Sequence, residues 1–260
     1  MSYPVLPDKH RFATILEPRA MLELRARQGK LPKVDGLEAA ILCLRPGLPQ
    51  RRRLRWQIRL RRAGRLLGDL YTVRSTGDRV AVLTGIGMGA PIMAAEAEEL
   101  IALGAKRLIA FGPAGGLQAD LPSGTVVVVT GAIRDEGTSY HYLPPAREVC
   151  ANPALGDSLA DALAAHGASV RRGLTWSTDA PFRETREEVA QYQAEGVLTV
   201  DMEVAALLAA AEVRGVPAAA ALVVGDTVAD LRWEPPSSPA AMERSLELVY
   251  RTAIEVLDAG

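Results

Sequence analysis

The residues able to do chemistry in this sequence stand where short apolar runs end. Asp226 closes the almost wholly apolar run AAALVVGD at 219–226. A carboxyl group so placed is expected to be partly withdrawn from water, with its pKa displaced upward as a general acid requires; a plain turn aspartate is the bland alternative. Asp201 and Glu203 stand in Val200-Asp201-Met202-Glu203 ahead of a helical pattern. The helix dipole stabilises carboxylates there, so a capping role competes with a ligand-binding one. Arg51 ends the stretch Arg45-Pro46-Gly47-Leu48-Pro49-Gln50-Arg51. Gly47 permits close backbone approach and the guanidinium offers a planar fork of donors to a phosphate-like anion. The competing reading is a Pro/Gly turn leading into a solvated basic segment, in which Trp56, Ile58 and Leu60 alternate with Gln57, Arg59 and Arg61 as an edge strand.

Two glycine-rich turns join these residues. Thr84-Gly85-Ile86-Gly87-Met88-Gly89-Ala90-Pro91 lies between a predicted strand and a predicted helix, a place where backbone N–H groups and a helix N-terminus favour an anion or a sugar hydroxyl. Its glycines stand two apart and lack the GxGxxG spacing of a dinucleotide site, which disfavours a dehydrogenase. Gly112-Pro113-Ala114-Gly115-Gly116 leaves room for a ligand and equally suits a simple turn.

The elements that must position these residues follow from periodicity. β-rich runs at 39–44, 79–85, 106–112, 125–133, 170–178 and 219–226 alternate with helical patterns at 91–103, 201–214 and 240–257, and at 17–29 and 185–195. This predicts an α/β fold with a central, mostly parallel, twisted mixed sheet flanked by helices. Ligands in such folds sit outside the carboxyl ends of strands, where the residues above lie. No Gly/Ser linker or internal repeat divides the 260 residues, so a single domain is expected, with residues 1–36 as an appended arm.

Composition narrows the function classes. Thirty basic against thirty-one acidic side chains leave no net field to hold a polyanion, so no nucleic acid is expected as a partner. No apolar run reaches the ~18 to 20 residues of a membrane span, and the N-terminal stretch lacks a signal-peptide layout; the expectation is a cytoplasmic protein without a membrane. Two cysteines and three scattered histidines give no metal-ligand spacing, and no metal is expected.

In order, the motifs resemble those of the nucleoside phosphorylase superfamily, which includes uridine phosphorylases, hexameric purine nucleoside phosphorylases and methylthioadenosine nucleosidases. The resemblance runs from about residue 38 to 257. Pro46 to Arg51 is similar to the family's PGDPxR phosphate loop, with leucine in place of aspartate, so Gly47 and Arg51 inherit phosphate binding. Gly87-Met88-Gly89-Ala90-Pro91 resembles the GxGxPS turn beside the ribose, and Arg134-Asp135-Glu136-Gly137-Thr138-Ser139 the RxDGAS segment. Asp201-Met202-Glu203 matches the EMEx signature. The resemblance implies that Met202, Gly87 and Met88 pack on the sugar, that Glu203 accepts hydrogen bonds from its hydroxyls, and that Asp226 protonates or hydrogen-bonds a purine at N7. The segment Ser177 to Arg186 resembles the base-recognition loop, with Phe182 as the stacking candidate and Thr185 and Arg186 near the base edge.

The implied activity is phosphorolysis of a nucleoside, purine favoured and uridine possible, by a pentosyltransferase that uses inorganic phosphate as co-substrate and needs no cofactor. A homo-oligomer, dimer or hexamer, is implied as well. Two departures keep alternatives open. Ala110 and Pro113 stand where phosphorylases carry an arginine and a serine or threonine, and a second family arginine falls near Gly68. A nucleosidase using water is one alternative, and a nucleoside-binding protein without catalysis another. Arg52, Arg53 and Arg65 are candidate replacements for the absent arginines.

Overall fold

The computed structural model describes residues 6–51, 54 and 57–259. Its strands are β1 (Ala39–Cys43), β2 (Leu60–Arg65), β3 (Asp69–Val73), β4 (Val80–Thr84), β5 (Arg107–Gly116), β6 (Val126–Asp135), β7 (Glu148–Cys150), β8 (Val170–Thr178), β9 (Thr199–Asp201) and β10 (Ala218–Thr227). The helices are α1 (Pro18–Arg27), α2 (Ala90–Ala102), α3 (Pro153–Ala165), α4 (Arg186–Ala194), α5 (Val204–Val213) and α6 (Pro239–Ala259).

All strands belong to one mixed sheet. β5, β1 and β4 run parallel at its middle, and β3 and β2 continue it antiparallel to an edge. On the other side β10 pairs with both β5 and β6, while β8 and β9 lead back to the far end of β5. That half of the sheet therefore closes on itself, and the ends of β5, β9 and β10 meet at one rim.

Side-chain alternation splits the core into two layers. Ala40 and Leu42 of β1 pack with Met93, Ala97 and Leu100 of α2 and with Leu207 and Ala211 of α5. Ala39, Ile41 and Cys43 face the opposite layer, with Leu159 of α3 and Val249, Tyr250 and Ala253 of α6. The middle strands are buried on both faces, which is why they read as unbroken apolar runs. α5 is buried from Val204 to Ala211, its alanines allowing close approach to α2. The N-terminal segment also lies against the body: Leu22 of α1 is buried, Arg25 pairs with Glu99 at 3.1 Å, and Arg214 reaches Glu17 at 3.6 Å.

Several local expectations need correction. The edge strand begins at Leu60 rather than at Trp56; Ile58 precedes it, and Trp56, Arg52 and Arg53 lie outside the described residues. The helix expected from Asp201 starts at Val204, because Asp201 is still paired in β9. α3 has no counterpart among the helical patterns expected from periodicity, although Asn152 caps it by accepting from the Leu155 N–H at 2.9 Å and Pro153 opens it. Among the described residues no helix is long and apolar enough to cross a membrane.

Candidate functional site

Asp201 is an architectural carboxylate. Its Oδ1 accepts the N–H groups of Glu203 at 2.7 Å and Val204 at 2.8 Å, and its Oδ2 accepts the Thr175 hydroxyl at 2.6 Å. Ser177 Oγ donates to the same carboxylate at 3.0 Å and accepts the Ala205 N–H. The start of α5 is thus tied to β8, and burial raises the Asp201 pKa against these bonds. The capping alternative accounts for this residue.

Glu203 is thereby aimed across the sheet at the turn after β4. Its Oε1 accepts the Gly89 N–H at 2.6 Å and its Oε2 the Met202 N–H at 3.2 Å. Gly89 takes φ 110°, a conformation other residues rarely adopt, and in it the amide points at the carboxylate. Burial, with the Asp201 charge beside it, pushes Glu203 up to about 7 against those two N–H bonds. Gly87 and Met88 stand exposed on this turn and Met202 is half-buried, so the four residues expected around a sugar form one neighbourhood.

Asp226 lies where β10 breaks register with β5, between Val224 and Thr227. Such a bulge re-aims a side chain out of the ladder. Asp226 Oδ1 lies 3.9 Å from the position a Cβ on Gly115 would take, next to Val200 of β9. The chain then loops and returns: Thr227 and Glu234 exchange backbone hydrogen bonds of 3.0 and 2.8 Å. This return places the Trp233 indole N–H 2.7 Å from Asp226 Oδ2. Asp226, Phe182, Thr185 and Arg186, the four expected base contacts, line one cavity of about 670 Å³ together with Glu184 and Trp233. Phe182 is almost wholly exposed, at 99%. Thr185 caps α4 by accepting the Glu188 N–H, so its hydroxyl already has a structural duty.

The basic turn after β1 is differently employed. Gly47 takes φ 75° and Leu48 is buried beneath it. Arg51 reaches Glu243 at 2.7 Å and Glu247 at 3.4 Å, and Arg45 donates to Glu243 through Nε at 3.0 Å and through a second nitrogen. These carboxylates are one turn apart on α6. Met242, beside Glu243, approaches Gly225, the neighbour of Asp226, so this basic cluster adjoins the β10 end of the rim. Arg134, near the end of β6, is buried and donates to Ser139 Oγ at 2.8 Å and to the Pro144 carbonyl at 2.8 Å, holding the loop that follows the strand.

Glu184, Trp233, Glu243 and Glu247 were not singled out from the sequence. Glu184 sits inside the recognition segment and had a signal in its position; the other three reach the site only through folding.

A profile of the Phosphorylase superfamily matches residues 54–259. The chain belongs to that superfamily. It is 32% identical over 179 residues to a guanosine phosphorylase of Halorubrum lacusprofundi, covering 66% of this chain and 72% of the relative. It is 34% identical over 164 residues to a DeoD-type purine nucleoside phosphorylase of Bacillus cereus (61% and 68%), and 27% over 174 residues to the uridine phosphorylase of Salmonella typhimurium (62% and 68%). In fold it is similar to the crystal structure of uridine phosphorylase from Vibrio fischeri, with a TM-score of 0.73 and 24% identity over 88% of this chain and 94% of the other.

Proposed function

We propose that this member of the phosphorylase superfamily cleaves the N-glycosidic bond of a nucleoside with inorganic phosphate, giving ribose 1-phosphate and the free base, with purines preferred. The observation that carries the reading is that both sets of residues flank the end of β9: the Glu203 carboxylate, just beyond that strand, is held on the Gly89 turn, and Asp226, which lines the neighbouring cavity, lies beside Gly115 and Val200. Guanosine, purine and uridine phosphorylases among its relatives support the same reaction class.

Phosphate beside Gly47 and Arg51 attacks C1′ while the bond to the base lengthens. Positive charge grows on the ribosyl ring and negative charge on the base. Glu203 accepts hydrogen bonds from the sugar hydroxyls and fixes the ring between nucleophile and leaving group. The carboxyl-lined cavity at Asp226 meets the charge on the base, and a purine, which can take a proton at N7, suits it better than uracil. Phe182 covers a face of the base, and the exposure of Phe182 and Met88 on one chain supports closure of the pocket by a second copy in a homo-oligomer.

The experiment is incubation with inosine, guanosine, adenosine and uridine, with and without phosphate, followed by analysis of the sugar. Ribose 1-phosphate formed only with phosphate is the expected result. Free ribose in both arms would establish hydrolysis, the reading favoured by the engagement of Arg51 with Glu243 and Glu247 and by Ala110 and Pro113. Binding without any product would leave a nucleoside-binding protein.

A further inference from the structure

The base-side cavity contains a carboxyl for which the reading above has no use. Glu184 leads from the single turn Pro181–Arg183 into the cap of α4, and it lines the same cavity as Asp226. The charged groups around it are Asp226 at the end of β10, Glu188 on α4, and Arg186 and Arg232 on the cavity wall. Glu188 already accepts the Thr185 N–H and hydroxyl, and Arg232 is paired with Glu234 at 2.5 Å. Asp226 Oδ2 accepts the Trp233 N–H. Asp226 is thus committed as an acceptor on one oxygen, while Glu184 shares its cavity.

We propose that Glu184 is a catalytic residue of this pocket, the group that carries the proton handed to the departing base, with Asp226 as the second carboxyl beside it; this rests on the nucleoside phosphorylase reading. Two carboxyl groups at one site hold a proton between them more readily than they hold two charges, and their surroundings decide where it resides. Burial, then the Asp226 charge and that of Glu188, push Glu184 up to about 7, so an appreciable fraction is protonated at neutral pH. In the transfer, the C1′–N9 bond breaks and its electron pair passes to the purine. A phosphate oxygen forms the new bond to C1′. The Glu184 O–H bond breaks as N7 takes the proton, leaving Glu184 as a carboxylate to be reprotonated from water after the base departs. The other titrating group, Glu203, is needed as an acceptor and also lies at about 7, so kcat/KM should follow a bell centred near pH 7. Glu203 ionising gives its rising limb and Glu184 ionising its falling limb.

The test compares the wild type, Glu184→Gln and Asp226→Asn on inosine and on 7-methylinosine, whose base leaves without taking up a proton. If Glu184 is the donor, Glu184→Gln lowers kcat on inosine by about 10²-fold or more, keeps most of its activity on 7-methylinosine, and loses the falling limb. Asp226→Asn keeps that limb but moves it to lower pH, because the charge that holds the proton on Glu184 is gone. Glu184→Asp, which restores a carboxyl, recovers part of the inosine rate, and thermal melts of all variants within a few degrees of wild type exclude misfolding as the cause. The proposal is overturned by equal losses on the two substrates, by no loss, or by disappearance of the falling limb in Asp226→Asn with its survival in Glu184→Gln. A wild type that cleaves uridine alone also overturns it while leaving phosphorolysis intact; one that cleaves no nucleoside removes the underlying reading as well.

Discussion

At the end of β1 two arginines, Arg45 and Arg51, are held by two carboxylates of α6, whereas at the end of β10 two carboxyls line an open cavity with an indole N–H fixed to one of them. The first region is neutralised within the chain; the second keeps its charge for whatever enters. An anion arriving beside Arg51 must exchange with Glu243, one negative group for another. A base arriving beside Asp226 finds acceptors and a proton source already in place. Half-exposed ion pairs such as those of Arg45 and Arg51 contribute only ~1 kcal/mol, so the exchange is within reach of a phosphate dianion. On the proposed reaction, the Arg51 end should answer to substitution through the affinity for phosphate, and the Asp226 end through the rate of bond cleavage.

The sharpest way to break this contrast is at Asp226. Asp226→Asn keeps the side chain's shape and removes the charge that holds the proton on Glu184, so at pH 8 kcat for inosine is expected to fall about 10-fold or more, with KM for inosine changed only a few-fold. Steady-state kinetics at saturating phosphate checks it; equal changes in kcat and KM would make the residue a binding contact only. Arg51→Ala addresses the opposite end. Loss of a hydrogen bond to a charged group is worth ~1.5–3 kcal/mol, so KM for phosphate should rise roughly 10- to 100-fold with little change in KM for the nucleoside. Initial rates measured across a phosphate series decide between that and a purely structural Arg51.

The two ends also differ in how far the sequence reveals them. The glycine turns, Asp201-Met202-Glu203 and Asp226 are legible because each follows a strand whose apolar run is itself legible, and chain order alone brings strand ends to one rim. Phe182, Thr185 and Arg186 fall in a short continuous segment and arrive together for the same reason. The ion pairs are not legible in this way. Arg45 and Glu243 are 198 residues apart, and only the packing of α6 over the end of β1 and β10 joins them. Trp233 reaches Asp226 because the loop after β10 doubles back at Glu234, a path that composition does not encode. The late start of α5 has a different origin: Asp201 satisfies the first N–H groups of the helix from within a strand, so the acidic residue that marks the helix start by pattern lies outside it.

Glu243→Gln sharpens the contrast with a smaller effect. It keeps the side chain's bulk and an acceptor oxygen but removes the charge competing for Arg45 and Arg51. KM for phosphate is expected to fall about 3-fold, with kcat on inosine unchanged, since weakening a half-exposed pair releases at most ~1 kcal/mol. A rise in KM for phosphate would instead show that Glu243 orients the arginines, and the account of this end as self-neutralised would be wrong.

The smallest effect on catalysis separates pH-dependent chemistry from pH-dependent stability. Glu96 of α2 is fully buried, its Oε1 accepts the Gly68 N–H at 2.8 Å, and its Oε2 has no partner among the described residues. Burial pushes it up to about 7 from an ordinary value of 4.5, much as it does Glu184 and Glu203, yet Glu96 stands on α2 and holds the turn between β2 and β3 through Gly68. A raised carboxyl pKa makes the neutral form the one that the fold favours. The stability it contributes is complete below about pH 4.5 and is lost as pH rises through about 7. Glu96→Gln keeps an acceptor for Gly68 and removes the ionisation, so chemical unfolding at pH 8 should find it more stable than wild type by up to ~3 kcal/mol, with the advantage gone at pH 4. Its bell-shaped kcat/KM profile should coincide with that of the wild type. A displaced falling limb in Glu96→Gln would mean that the limb reports the general ionisation of buried carboxyls across the fold, and the assignment of that proton to the cavity of Glu184 and Asp226 would fail with it.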